Sequence, residues 1–242
     1  MDVSLYSAAA AMNATERWQD LVADNLSSAS IPGARQQEIS FSAVQAGVSS
    51  GTNFVMPLAG STINFEQGEL KATGSNMDVA IEGKGFFAVQ MPDGSKAYTR
   101  DGEFRINSQG QMVSKQGYPV VSTGGTLKLD PANPAPISIS AEGEVSQGEA
   151  TKGKIAVTEF GNLQALTMGN GGFFRADSPL ADPKPATSSN VRQGFVEASN
   201  TSPTMAMASL ITSMRMFETN QKVMLMQSDR MSKSITELSG TT

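Results

Sequence analysis

The chain has 242 residues, 39% apolar content and a formal net charge of −5, which is enough sequence for one large domain or two small ones with a real core. It contains no Cys and no His, so thiol nucleophiles, disulfides, imidazole bases and nearly every zinc or haem ligand set are excluded. No Lys/Arg cluster offers a footprint for nucleic acid, no run approaches the roughly 18 apolar residues of a membrane span, and the N-terminal stretch lacks the features of a cleaved secretory signal.

The first segment is rich in Ala and carries Trp18, Leu21, Val22 and Leu26 at helical spacing, which predicts a helix roughly between Val3 and Ala29. Its narrow stripe reads Leu5, Ala8, Met12, Thr15, Gln19, Val22, Leu26, Ala29, interrupted by polar residues in the middle. The run from Ser27 to Gly33 stops it, because Pro32 disfavours a helical residue before it and Gly33 accepts a positive φ. Residues 32–75 read as an extended connector with short strands, with isolated hydrophobes such as Ile39, Phe41, Phe54, Ile63 and Phe65.

Residues 76–201 change character, with short β-type runs separated by Gly-containing turns, the pattern of an antiparallel β domain arranged as a meander or small barrel. Phe86 to Met91 and Lys96 to Arg100 flank Asp93-Gly94, a hairpin signal because Asp-Gly supplies the positive φ of a tight turn. A strand from Lys154 to Phe160 is expected to be answered by Leu163 to Thr167. Pro179, Pro183 and Pro185 then mark a loop before a last strand, Gln193 to Glu197.

A C-terminal helix follows, with Thr201 or Ser202 as cap and Pro203 in the first turn. It shows an unbroken 3-4 spacing: Met207, Leu210, Met214, Phe217, Gln221, Met224, Ser228, Met231, Ile235, Leu238. A stripe at period 3.5 is a coiled-coil seam, and the only other long helical pattern is the N-terminal one. The expected fold is therefore α+β: long N- and C-terminal helices (1–31 with 202–242) forming a coiled coil, with an inserted, mainly antiparallel β domain. Gln221 and Ser228 are tolerated polar seam positions or set the pairing register. Half of the 14 methionines lie between Met205 and Met231, several outside the seam, and Met suits surfaces that adapt to more than one packing geometry.

These residues resemble a known family. Val22-Ala23-Asp24-Asn25-Leu26-Ser27-Ser28-Ala29-Ser30-Ile31-Pro32-Gly33 is similar to the N-terminal signature of bacterial flagellar rod and hook proteins, with Ser27-Ser28 and Ala34 as departures. The stretch from Asp78 to Phe87, then Asp93-Gly94, Tyr98-Thr99-Arg100-Asp101-Gly102 and Phe104, looks like the family's β-domain core. Gln193 to Asn200 and Arg215-Met216-Phe217-Glu218-Thr219-Asn220-Gln221-Lys222 resemble its strand-to-helix junction and C-terminal helix, with Thr201 and Ala206 departing from the usual Val and Glu. Within the family the chain looks nearest the proximal rod members, with distal rod members a close second.

The resemblance implies a structural axial subunit of the flagellar basal-body rod, exported by the flagellar type III apparatus without a cleaved signal and stacked helically in the periplasm. Its terminal helices would form an inner tube and the β domain an outer layer. The expected partners are other rod subunits and copies of itself. The expected interface residues are Leu5, Met12, Trp18, Val22, Asn25 and Leu26 near the N-terminus, and Met207, Leu210, Met214, Phe217, Gln221, Met224, Met231, Ile235 and Leu238 near the C-terminus.

No enzyme, cofactor, metal or small-molecule substrate is expected. A carboxylate pair for glycoside cleavage among Asp78, Asp93, Asp101 and Glu103 is conceivable. Asp93 and Asp101 precede Gly, however, and turn chemistry accounts for them. Glu82-Gly83-Lys84-Gly85 is followed by no nucleotide-binding pattern. The alternative to a rod subunit is a non-flagellar binding or adhesion module whose coiled-coil stalk oligomerises the β domain.

Overall fold

The computed structural model describes residues 3–48 and 52–239, and the side chains of residues 7–42 and 59–237. The chain forms two compact units. One, helical, draws on Met1–Ser27, Gln37–Asn64 and Ser202–Thr242; the other, mainly β, draws on Ser28–Gln36 and Phe65–Thr201.

In the helical unit, α1 spans Val3–Ser28. Ala8, Ala14, Thr15, Val22 and Asn25 are its buried members. Thr15 tolerates burial because its hydroxyl donates to the carbonyls of Ala11 and Met12, at 3.0 and 2.8 Å, so the polar group is satisfied by its own helix. Asn25 works outward instead. Its Nδ2 donates to the Gln37 carbonyl at 2.7 Å and its Oδ1 accepts from the Gln37 amide at 2.8 Å, as a neighbouring strand would.

Gln37 opens a long antiparallel hairpin, β1 (Gln37–Val48) against β2 (Thr52–Ile63), in register from Gln37↔Ile63 to Val48↔Thr52. Trp18 of α1 meets Phe41 of β1 edge to face, with ring centres 5.8 Å apart. The region read as a connector with short strands thus holds two strands of 12 residues each. Gly47, Pro57 and Gly60 interrupt the alternation that would have announced them.

α2 runs from Pro203 to Ser239, about 55 Å at 1.5 Å per residue. Its first turn closes through the Ala206 amide on the Ser202 carbonyl at 2.9 Å. The expected long coiled coil between the terminal helices is not shown: among the described residues α1 and α2 are not among the element pairs in repeated close contact. Seam positions Met207 and Met214 are about half exposed, at 51% and 49%, and Ile235 reaches 61%. Among the described residues the fold is a mainly antiparallel β unit and a second unit of two helices and the β1–β2 hairpin, with no long helix pair shown.

The physical reason lies in α2 itself. Its buried or half-buried residues include Ala206, Leu210, Ser213, Phe217, Asn220, Met224, Gln227 and Met231. This stripe shares every second residue with the predicted seam but places the others one residue earlier. Apolar side chains surround α2, so more than one 3-4 frame can be traced through the same sequence.

In the β unit, β3 (Leu70–Ala72) pairs with Phe195–Glu197, and β4 (Val79–Glu82) pairs with Asn190–Gln193. β5 (Phe86–Gln90) and β6 (Lys96–Thr99) form the expected hairpin, with Gln90 opposite Lys96 and Gly94 at φ 82°. They lie centrally in a six-stranded antiparallel sheet, in the order Thr167–Met168, Phe173–Arg175, β6, β5, Val157–Phe160, Pro183–Pro185. This order is neither a simple meander nor a closed barrel.

Val157–Phe160 pairs with β5 and with Pro183–Pro185, whereas Leu163–Ala165 is a single 3-10 turn and not the answering strand expected there. The proline segment is an edge strand, the place in a sheet where missing N–H groups are tolerated. Val79, Ile81, Phe87, Val89, Phe104, Met112, Val120, Leu127, Val145 and Ile155 form one buried core. Phe86 adds edge-on ring contacts to Phe65, Phe160 and Phe174.

Candidate assembly surface and chain junction

The helical unit exposes a large apolar surface on α2. Met205, Met207, Ile211, Met214, Met216, Leu225, Met226 and Ile235 are all exposed, spread around the helix rather than along one line. Isolated exposed hydrophobes are ordinary, but this many on one helix is not, and contiguous apolar surface marks interaction sites. Of the expected interface residues, Leu210, Phe217, Met224 and Met231 lie half-buried on the covered stripe, while Gln221 is exposed. On α1, Val22 and Asn25 are buried, and Met12, Trp18 and Leu26 are half-buried. Leu5 and Leu238 lie outside the residues whose side chains are described.

The β unit contains a second feature that no sequence pattern announced. Glu197 is fully buried and receives two guanidinium groups, Arg35 at 2.6 Å and Arg100 at 3.1 Å. The Arg35 contact is a close ion pair without hydrogen-bond alignment. Arg100 also donates to the Gly83 carbonyl at 2.7 Å and lies over the Phe86 ring at 4.8 Å. Burial lowers the Arg100 pKa to about 10; the Glu197 carboxylate opposes the shift and the Arg35 charge adds to it. It remains charged at neutral pH.

Chain segments distant in sequence meet here. The Glu197 carbonyl accepts from the Gly33 amide at 2.7 Å, and its carboxylate accepts from the Gly68 amide at 2.9 Å. Asn200 accepts from the Gln36 amide at 2.7 Å through Oδ1 and donates to the Glu66 carbonyl at 3.1 Å through Nδ2. Gly33 is required at this point, since its φ is +69° and a Cβ would fall 2.3 Å from the Arg100 backbone carbon. Arg35, Arg100 and Glu197 were hidden from sequence reasoning because no local spacing links them. Arg100 and Glu197 do fall inside the segments that resemble the family, and each of the three sits beside a turn or a chain junction.

Of the four carboxylates weighed for hydrolysis, Asp78 and Glu103 face each other across an antiparallel bridge and the charges of both act on Asp101. Asp93 is exposed and accepts from the Ser95 amide at 2.9 Å, and its bonds to Ser95 hold its pKa below the usual value. Asp101 is buried, and burial pushes its pKa up to about 6. Glu103 instead pairs with Lys115 at 2.7 Å. Gly83 and Gly85 pack against Ser189, where any Cβ would collide. Among the described residues no cluster of three or more acidic side chains is arranged to hold a metal ion.

Residues 80–147 match the family described as the flagellar hook protein FlgE/F/G D1 domain, and residues 192–238 match the flagellar basal body rod FlgEFG protein C-terminal family. Over 231 residues the chain is 34% identical to the flagellar basal-body rod protein FlgF of Caulobacter vibrioides, covering 93% of each. The chain belongs to the flagellar basal-body rod protein family. The FlgF of Mesorhizobium japonicum is 33% identical over 93% of this chain and 92% of its own. The FlgG of Borreliella burgdorferi is 31% identical over 94% and 95%. Within the rod family the similarity is nearest to FlgF. The two matched regions contain Arg100 and Glu197, and the second contains α2 as far as residue 238. The protein is thus a structural subunit of the flagellar rod.

Proposed function

We propose that this rod subunit assembles through the apolar surface of α2, which copies of itself and other rod subunits cover, and that it acts without catalytic activity. The carrying observation is the ring of exposed Met, Leu and Ile side chains around α2. One partner helix covers one stripe; a helix that is apolar on several sides needs several neighbours. A head-to-tail interface that does not close generates an open filament, and repeated contacts then hold it by avidity. The subunit acts in the basal body on the periplasmic side, which it reaches through the flagellar type III apparatus. No described helix is long and apolar enough to cross a membrane.

The absence of cysteine makes a direct test available. Met214→Cys, Met226→Cys and, as a control on the β unit, Lys115→Cys are introduced singly and cross-linked in rods isolated from cells lacking the native subunit. The expected result is covalent multimers for the two α2 positions and little for Lys115. Rods that form normally yet give no multimers from either α2 cysteine would refute assembly through this surface.

A further inference from the structure

The chain passes between its helical and β units four times, after residues 27, 36, 64 and 201. Three of these crossings are collected by one side chain. Asn200 takes the Gln36 amide on Oδ1 and gives Nδ2 to the Glu66 carbonyl, while its own amide donates to the Ala34 carbonyl at 3.4 Å. Three residues earlier, Glu197 fixes Gly33 and Gly68, and the Ala198 amide donates to the Glu69 carbonyl at 2.8 Å. The three connectors, 33–36, 66–69 and 197–200, are therefore bound side by side on the β unit. The polar groups of a loop that leaves a domain are ordinarily left to water.

We propose that Asn200 is a positioning residue for assembly, tethering the connectors so that the chain enters and leaves the β unit at one fixed place in every subunit. An amide side chain is the group this requires, since it presents one acceptor and two donors in a single plane. A helical stack repeats one geometry along its length, and scatter in where the helices are attached would spread the positions of their contact surfaces from subunit to subunit. The Glu197 ion-pair cluster holds the base of the same junction rigid, and Asn200, only half-buried, can be altered without opening the core. The inference rests on the rod-subunit reading for its assembly consequence; its structural half does not.

The test uses the full-length chain carrying Asn200→Ala or Asn200→Asp. Hydrogen exchange on the purified monomer is expected to be at least about fivefold faster at the Gln36 amide in Asn200→Ala, the effect of losing one hydrogen bond, with exchange in residues 86–90 unchanged. Asn200→Asp keeps an acceptor for Gln36 and loses the donor to Glu66, so Gln36 stays protected. In cells lacking the native subunit, Asn200→Ala is expected to give fewer completed rods and at least a severalfold smaller swimming halo than wild type, and Asn200→Asp an intermediate result.

Unchanged Gln36 exchange in Asn200→Ala overturns the tether. Faster exchange with normal rods overturns its role in assembly and leaves the rod-subunit reading standing. Failure of the wild-type chain to restore rods counts against the rod-subunit reading itself, and the exchange measurement then decides the tether alone.

Discussion

Replacing Glu197 by Gln should destabilise the β unit by about 3–5 kcal/mol, the range for removing one partner of a buried ion pair. The structure puts this variant at the damaging end. Glu197 and Arg35 have no exposed side-chain surface and Arg100 only 3%, so two guanidinium groups lose their carboxylate without gaining water. Gln keeps an acceptor for the Gly68 amide, which sits 2.9 Å from the carboxylate, so the loss isolates charge rather than shape. Stability is read from urea titration followed by hydrogen exchange in residues 86–90, whose strand lies in the β-unit core. Because the cluster is buried, the loss should be nearly the same in low and high salt. Glu103→Gln, which breaks the exposed pair with Lys115, serves as the comparison and should cost less than about 1 kcal/mol. A Glu197→Gln loss no larger than that of Glu103→Gln would refute the view that buried charge organises this junction.

Three further outcomes are expected. The Asp101 pKa is raised by burial from 3.8 to about 6, so the folded state binds the proton more tightly than the unfolded one. Stability should therefore fall as pH rises from about 4 to about 6, by at most about 3 kcal/mol. Asp101→Asn should flatten that slope and raise stability at pH 7 in denaturant titrations; a slope that survives the substitution would contradict the assignment. The double substitution Met207→Lys with Met214→Lys falls on half-exposed sites and should change monomer stability by no more than about 1 kcal/mol while abolishing incorporation into rods, scored by imaging basal bodies. Gly102→Ala would bring a Cβ within 1.6 Å of the Val79 carbonyl oxygen and should cost at least about 2 kcal/mol in thermal or urea unfolding.

What could be seen from sequence follows the range of the interaction that fixes each feature. The end of α1 near Ser28, the start of α2 at Pro203 and the β5–β6 hairpin depend on residues within a few positions of one another, and Pro32, Gly33, Pro203 and Asp93-Gly94 state them directly. The pairing of Val157–Phe160 with both β5 and Pro183–Pro185 depends on distant segments. The nearest following run, Leu163 to Thr167, carries a β-type pattern of its own but forms a 3-10 turn over Leu163–Ala165. Arg35, Arg100 and Glu197 were missed for the same reason. A charged residue beside a turn looks like solvated surface until the fold brings its partners from the far ends of the β unit.

The seam of α2 failed differently, and the failure bears on function. Leu210, Phe217, Met224 and Met231 belong both to the predicted stripe and to the covered one. The alternating members differ: Met207 and Met214 in one frame, Ala206 and Ser213 in the other. In the single chain the small residues Ala206 and Ser213 are buried, Ser213 with its hydroxyl bonded to the Leu210 carbonyl at 2.8 Å, and the methionines are left outside. Small residues permit close approach of backbone, and Met adapts to varied packing. The arrangement therefore divides α2 into a face covered within the subunit and an exposed, adaptable face that the proposed assembly would use. A helix meant for one partner would concentrate its large apolar side chains on the covered stripe. This one divides them: Leu210, Phe217, Met224 and Met231 lie on the covered stripe, whereas Met207, Ile211, Met214, Met216, Leu225 and Met226 are exposed, the distribution that the proposed assembly with several neighbours needs.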